Sequence, residues 1–327
     1  MTTKSYLKRL GEFTDPDIKN TLNGQQKLCD AHPQFYDIEI RLRDLDRYGI
    51  KSQVITGNPR IDPNNFKLSE KDLVDLSRKS NNCVAECQDK SMGRLAGLGT
   101  APLSVSDSGE QLEEMKRAMH DLGLRGFLVL SNIRGVPIDK FRSFWKNADA
   151  LSAPVYVHPA NPLNGETRSY EEEFDLIVTF AWPFETALIL SRLIFTGIAK
   201  DFPNVKIVSH HLGGNVTFLE GRINEVYSEP GRPIQKERIT SEAKLRPLID
   251  YYKRFYYDTA IGSTAAVSCG YDVFGAERMI FATDYPYGMD GGRFRLASYP
   301  EMVSKAGLSK SELEHIYEAN VTKLLKL

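Results

Sequence analysis

The chain has 327 residues, 41% hydrophobic and 26% charged, with a formal net charge of -1. That is the balance of a globular protein with apolar material for one large core or two ordinary ones. A charge near zero gives nucleic acid or an anionic membrane no electrostatic footing, so neither is expected as a partner.

Tyr6-Leu7-Lys8-Arg9-Leu10 reads as helix, and Asn20 to Pro33 as polar loop. Ile38 to Tyr48 places Ile38, Leu42, Leu45 and Tyr48 on one helical face. Gln53–Thr56 is the first short, β-branched run of strand type. The helix from Ser69 to Asp89 opens with Ser69 ahead of Glu70 and Asp72, acids suited to a positive helix end. It carries Cys83 and Cys87 at i, i+4. With no second pair to complete a metal clip, they read as packing residues.

Further strands are expected at Leu95–Thr100, Gly126–Leu130, Pro154–His158, Val205–His210, Phe255–Asp258 and Met279–Thr283. Helices are expected at Leu112–Leu122, Phe141–Leu151, Thr186–Ala199, Val216–Tyr227 and Lys310 to about Leu325, the last capped by Ser309. The polar stretch Ser228–Lys244 is a long excursion suited to a lid or an oligomer contact. Alternating strands and helices imply a parallel sheet with helices outside it. No linker divides residues 1–327, so a single domain is expected. Seven strands are one short of a closed (β/α)8 barrel. Residues 1–37 hold no buried strand, so the absent unit is the first. No apolar run approaches the roughly 18 residues that span a bilayer. Met1–Ser5 lacks the apolar core of a signal peptide, and a reducing cytoplasm is the expected location.

Three strands end in side chains able to bind metal or move protons: His158, the pair His210-His211, and Asp284. In a (β/α)8 barrel such ends gather at the open mouth. Pro159 stops its strand and leaves His158 there. Strand parity puts Lys206 on the side of His210, so His211 is expected to face inward and His210 to pack or support. Asp284 can bind a metal, carry a proton or cap the next helix. Asp258 reads equally as a supporting carboxylate or a structural cap. Trp182-Pro183-Phe184-Glu185 reads as pocket roof or plain core. His32 reads as an exposed loop residue, and His120 and His315 as surface residues on helices.

Several segments together resemble the amidohydrolase-related superfamily, in the branch holding aminocarboxymuconate-semialdehyde decarboxylase and gamma-resorcylate decarboxylase. They are Arg94–Leu103, Gly123–Gly126, Val155–Pro159, Glu185-Thr186-Ala187, the Phe202–Ile207 run into His211, Gly221-Arg222-Ile223, Ala282–Pro286 and Asn320. The resemblance implies a distorted (β/α)8 TIM barrel, its first strand missing or atypical in this chain. It implies one divalent metal, zinc before manganese, with His158 and Asp284 as ligands and His211 assisting catalysis. The family's first strand carries two more ligands, an acidic residue or histidine and a histidine two residues on. This sequence has no such pair: either it starts at an internal methionine or this member has lost them. The implied activity is a metal-dependent decarboxylase of an aromatic or unsaturated carboxylic acid. Hydrolysis of a lactone, amide or ester is the alternative, and a metal-free, non-catalytic barrel the third. A homo-oligomer, dimer or tetramer, is also expected, with Trp182–Ile198 as shared apolar surface.

Overall fold

The computed structural model describes residues 4–103, 109–160, 173–228 and 247–327. They group into two compact units, residues 1–129 with 284–298, and 130–283 with 299–327. The excursion after Ser228 lies outside the described residues.

In the first unit, strands β1 (Gln53–Thr56) and β2 (Leu95–Leu98) pair in parallel, Val54 opposite Ala96. Gly99 bridges Phe127, the first residue of β3 (Phe127–Leu130), also in parallel. Among the described residues no strand precedes Gln53. The described residues before it are helix and loop. One helix is a departure from expectation: Pro16–Ala31 is helical, although Asn20–Pro33 reads as loop. Asp15 caps it, accepting from the N–H groups of Asp17 and Ile18, and Pro16 takes the first turn, where no N–H is needed. The helix buries only Ile18, Gln25 and Cys29, which is why its apolar period is faint. Ile18 joins Tyr6, Leu10, Ile61, Phe66, Leu76 and Cys83 in one cluster, and the Tyr6 hydroxyl donates to the Ile61 carbonyl at 2.6 Å. Cys83 and Cys87 are buried free thiols, as packing residues would be.

In the second unit a short hairpin, β4 (Asn132–Ile133) with β5 (Val136–Pro137), comes first; the sequence reading omits it. Strands β6 (Pro154–His158), β7 (Lys206–Ser209), β8 (Tyr256–Asp258) and β9 (Met279–Ile280) then lie side by side in parallel. Every residue of β6 is buried, as in a strand covered on both faces. Asn320 donates to the carbonyls of Ala276 and Met279, both at 2.7 Å, and so fixes the start of β9. Ser309 caps the Lys310–Glu314 helix in a full capping box with Glu312.

One expectation is corrected here. Ile177–Phe195 is a 19-residue helical stretch of mean hydropathy 1.4, long and apolar enough to cross a bilayer. Its two charged side chains are used within the unit: Glu185 accepts from Ser131 and Asn132, and Arg192 holds Asp139 at 2.6 Å. Ile189, Leu190, Leu193 and Ile194 are buried. These bonds mark it as a helix packed against the protein.

Candidate active site

Register builds the site. Val157 of β6 lies opposite Ser209 of β7, and Ser209 opposite Tyr257 of β8. One residue further along, His158, His210 and Asp258 occupy one row across three neighbouring strand ends. Residues in one row of a parallel sheet point to the same side. The His158 and His210 ring centres are accordingly 5.1 Å apart, edge to face. The expectation that His210 turns away is thus overturned. Lys206, on which it rested, lies at the opposite end of β7, exposed, with its amine on the Pro203 carbonyl at 3.3 Å. A lysine at a strand entrance reaches solvent whichever face it shares.

His211 arrives by another route. The extended backbone ends at His210, and His211 and Leu212 both take left-handed φ of 53°. Side chains rarely adopt this conformation, and such residues cluster at functional sites. The turn carries the His211 ring to 5.5 Å from His158 and 5.9 Å from His210. Trp182 stacks parallel to His211 at 6.4 Å and meets His158 edge-on at 5.4 Å, so it roofs the cluster as one reading of the sequence had it.

Each imidazole is held from behind. His158 Nδ1 lies 2.7 Å from the Pro159 carbonyl, which can only accept, so Nδ1 carries the hydrogen and Nε2 the lone pair. The His158 carbonyl accepts from the Ser131 N–H at 2.8 Å, and the Ser131 hydroxyl donates to buried Glu185 at 2.8 Å. Ser131 and Asn132 carry no signal of their own in the sequence, because they bond Glu185 from 54 and 53 residues away. Asp258 Oδ2 lies 2.8 Å from His210 Nδ1, while its Oδ1 accepts from the N–H groups of His211 at 2.9 Å and Ala260 at 3.1 Å. Burial pushes this carboxyl up, but the charge and hydrogen bond of His210, His211 and the Ala260 N–H outweigh it and hold it below its ordinary value. Burial raises the neighbouring Tyr156 phenol, and Asp258 raises it further.

Asp284 belongs to the first unit. Its φ is 58°, and its Oδ2 accepts from Arg295 Nη1 at 2.7 Å, an ion pair the sequence reading missed. Gly288 makes room for that guanidinium: a Cβ there would lie 2.6 Å from Arg295 Nε. The structure therefore brings His158 and His211 together, adds His210, and places Asp284 with Arg295. Of the other histidines, His120 is exposed, His315 faces Glu277 at 3.5 Å, and His32 is half-buried rather than exposed.

Parallel strands with titratable side chains clustered at their C-terminal ends define an α/β enzyme of the barrel class. A family model, described as amidohydrolase, matches residues 29–327, so the chain belongs to that family. It is 27% identical over 308 residues to gamma-resorcylate decarboxylase of Rhodococcus jostii, covering 88% of this chain and 87% of that one. A dihydroxybenzoic acid decarboxylase from Polaromonas, solved with manganese and the inhibitor 2-nitroresorcinol, superimposes with a TM-score of 0.75 at 23% identity, over 99% of this chain and 94% of that one. The IDCase of Metarhizium anisopliae in apo form superimposes with a TM-score of 0.81 at 21% identity, over 100% and 95%. The fold is accordingly the (β/α)8 type; the described residues before Gln53 are helix and loop.

Proposed function

We propose that this chain is a metal-dependent, non-oxidative decarboxylase of an aromatic or unsaturated carboxylic acid. The observation that carries the reading is the meeting of His158 and His211 at neighbouring strand ends, 5.5 Å apart. The decarboxylases it resembles over nearly all of its length support it.

The donor chemistry decides whether a divalent ion suits these residues. His158, with Nδ1 fixed on a backbone carbonyl, presents Nε2 as metal-binding histidines do. Asp284 has one carboxylate oxygen on Arg295 and a second to offer. Both fit. Among the described residues no three His, Cys, Asp or Glu side chains are grouped to hold an ion. Zinc, expected from the sequence, and manganese, present in the Polaromonas enzyme, both accept a nitrogen and a carboxylate. When bound, the ion supplies Lewis-acid polarisation of a substrate oxygen.

The chain's own residues do the rest. His211 or Asp284 delivers a proton to the carbon bearing the carboxylate. That carbon's bond to the carboxylate then breaks, carbon dioxide leaves, and the bonding pair restores the π system. Trp182, parallel to His211, covers one face of the imidazole. Exposed Phe180, Phe184 and Leu188 support self-association through this helical stretch. The test is product analysis after incubation with gamma-resorcylate and manganese. Carbon dioxide and resorcinol in equal amounts are expected; a hydrolysed or ring-opened product without carbon dioxide overturns the reading.

A further inference from the structure

We propose that Asp258 is a positioning residue for this reaction, presenting His210 and His211 together to the substrate. The inference rests on the decarboxylase reading. It starts from how Asp258 divides its two oxygens. A carboxylate that only capped the turn after β8 would need the Ala260 N–H alone. Asp258, 2% exposed, also holds the backbone N–H of His211 and the Nδ1 of His210. An ionised carboxylate only accepts, so His210 must carry a hydrogen on Nδ1, which in the neutral ring leaves the lone pair on Nε2. The same carboxylate anchors His211 at a left-handed φ of 53°, the conformation that brings its ring beside those of His158 and His210. One side chain thus sets a tautomer and a backbone turn in two successive residues.

A second observation points the same way. The Tyr156 hydroxyl, on β6 beneath this row, is buried without a hydrogen-bond partner among the described residues. Its ring centre lies 6.1 Å from that of His210. A buried hydroxyl left unmatched is costly in a merely structural network. Beside His210 it is a donor held in reserve for a substrate oxygen, and His210 is then a wall of the site rather than packing.

Asp258→Asn is the test. The amide keeps one oxygen for the two backbone N–H groups and turns an N–H toward His210, which imposes the opposite tautomer. With the metal-loaded enzyme, kcat is expected to fall at least about 100-fold while KM changes less than about threefold. His210→Ala should cause a similar fall, and the double variant no more than either single one, because the pair acts as a unit. Retention of kcat within about threefold in Asp258→Asn, or losses that multiply in the double variant, overturns the proposal.

Nitrogen-15 NMR of histidine-labelled wild-type protein reads the tautomer without any turnover. An Nδ1–H signal for His210, lost in Asp258→Asn, supports the assignment; a wild-type ring protonated at Nε2 and not at Nδ1 overturns it. If wild type releases no carbon dioxide, the decarboxylase reading fails while this spectrum still decides whether Asp258 sets His210.

Discussion

Alanine at Gly214 would strike the turn that carries the histidine pair. Gly214 has φ 66° and ψ -120°, a region that side chains avoid. A Cβ there would lie 1.9 Å from the Pro183 carbonyl oxygen and 2.8 Å from its carbon. Ordinary carbon–oxygen contacts are about 3.3 Å or more, so the backbones must part by more than about 1 Å. The left-handed φ costs about 1–2 kcal/mol, and overpacking against backbone about 1–3 kcal/mol. The sum, about 2–5 kcal/mol, corresponds to a Tm lower by roughly 3–7 °C in a protein of this size. Pro183 follows Trp182, so the displacement reaches the ring stacked on His211. Misplacement of about 1 Å near reacting groups lowers turnover about 100-fold. Thermal melting by circular dichroism and steady-state kinetics measure both effects. Gly24→Ala is the control: it lies inside a helix with nothing within 4 Å of the added carbon, and should stabilise by about 0.5–1 kcal/mol. A Gly214→Ala protein melting within about 2 °C of wild type at unchanged kcat would refute the reasoning.

Other substitutions probe separate parts. His158→Ala should weaken manganese binding at least about tenfold by calorimetric titration and abolish carbon dioxide release; unchanged affinity would remove His158 from the metal. Glu185→Ala removes the carboxylate that the buried Ser131 hydroxyl and Asn132 amide bond, and should destabilise by about 3 kcal/mol in urea unfolding. Asp62 is fully buried, and burial outweighs its bonds to Asn64 and Thr100, so its carboxyl is pushed up to about 6. Its folded value lies above the ordinary 3.8, so the folded protein takes up a proton before the unfolded chain does. Stability from this group is therefore complete below about pH 4 and is lost as pH rises through 6, by about 3 kcal/mol. Urea unfolding between pH 4 and 8 should show that slope, and Asp62→Asn should flatten it.

All seven expected strands exist because each is a short β-branched or aromatic run closed by a breaker, such as Pro159 after His158. Gln53–Thr56 and Pro154–His158 keep their expected bounds, whereas the other five shrink by a residue or more: Met279–Thr283 retains only Met279–Ile280 as strand. The Pro16–Ala31 helix was legible only at its start, in Asp15-Pro16-Asp17, because its exposed faces are polar along their whole length. His158 and His211 could be chosen from their place after apolar runs. The inward turn of His210 could not be, since it depends on the pairing of Ser209 with Val157 and Tyr257, which no single strand encodes. Asp258 read as either cap or support, and it is both at once. Arg295 gave no signal, because its tie to Asp284 spans a turn through Gly288 whose path the residue types do not announce.

The central claim is that a proton replaces carbon dioxide at one carbon. Gamma-resorcylate labelled with carbon-13 in its carboxylate, turned over by the manganese-loaded enzyme in heavy water, tests it directly. The account requires the label to leave entirely as carbon dioxide, with one deuterium on the product carbon that bore the carboxylate. Label retained in an organic product, or resorcinol carrying no deuterium at that carbon, would contradict it.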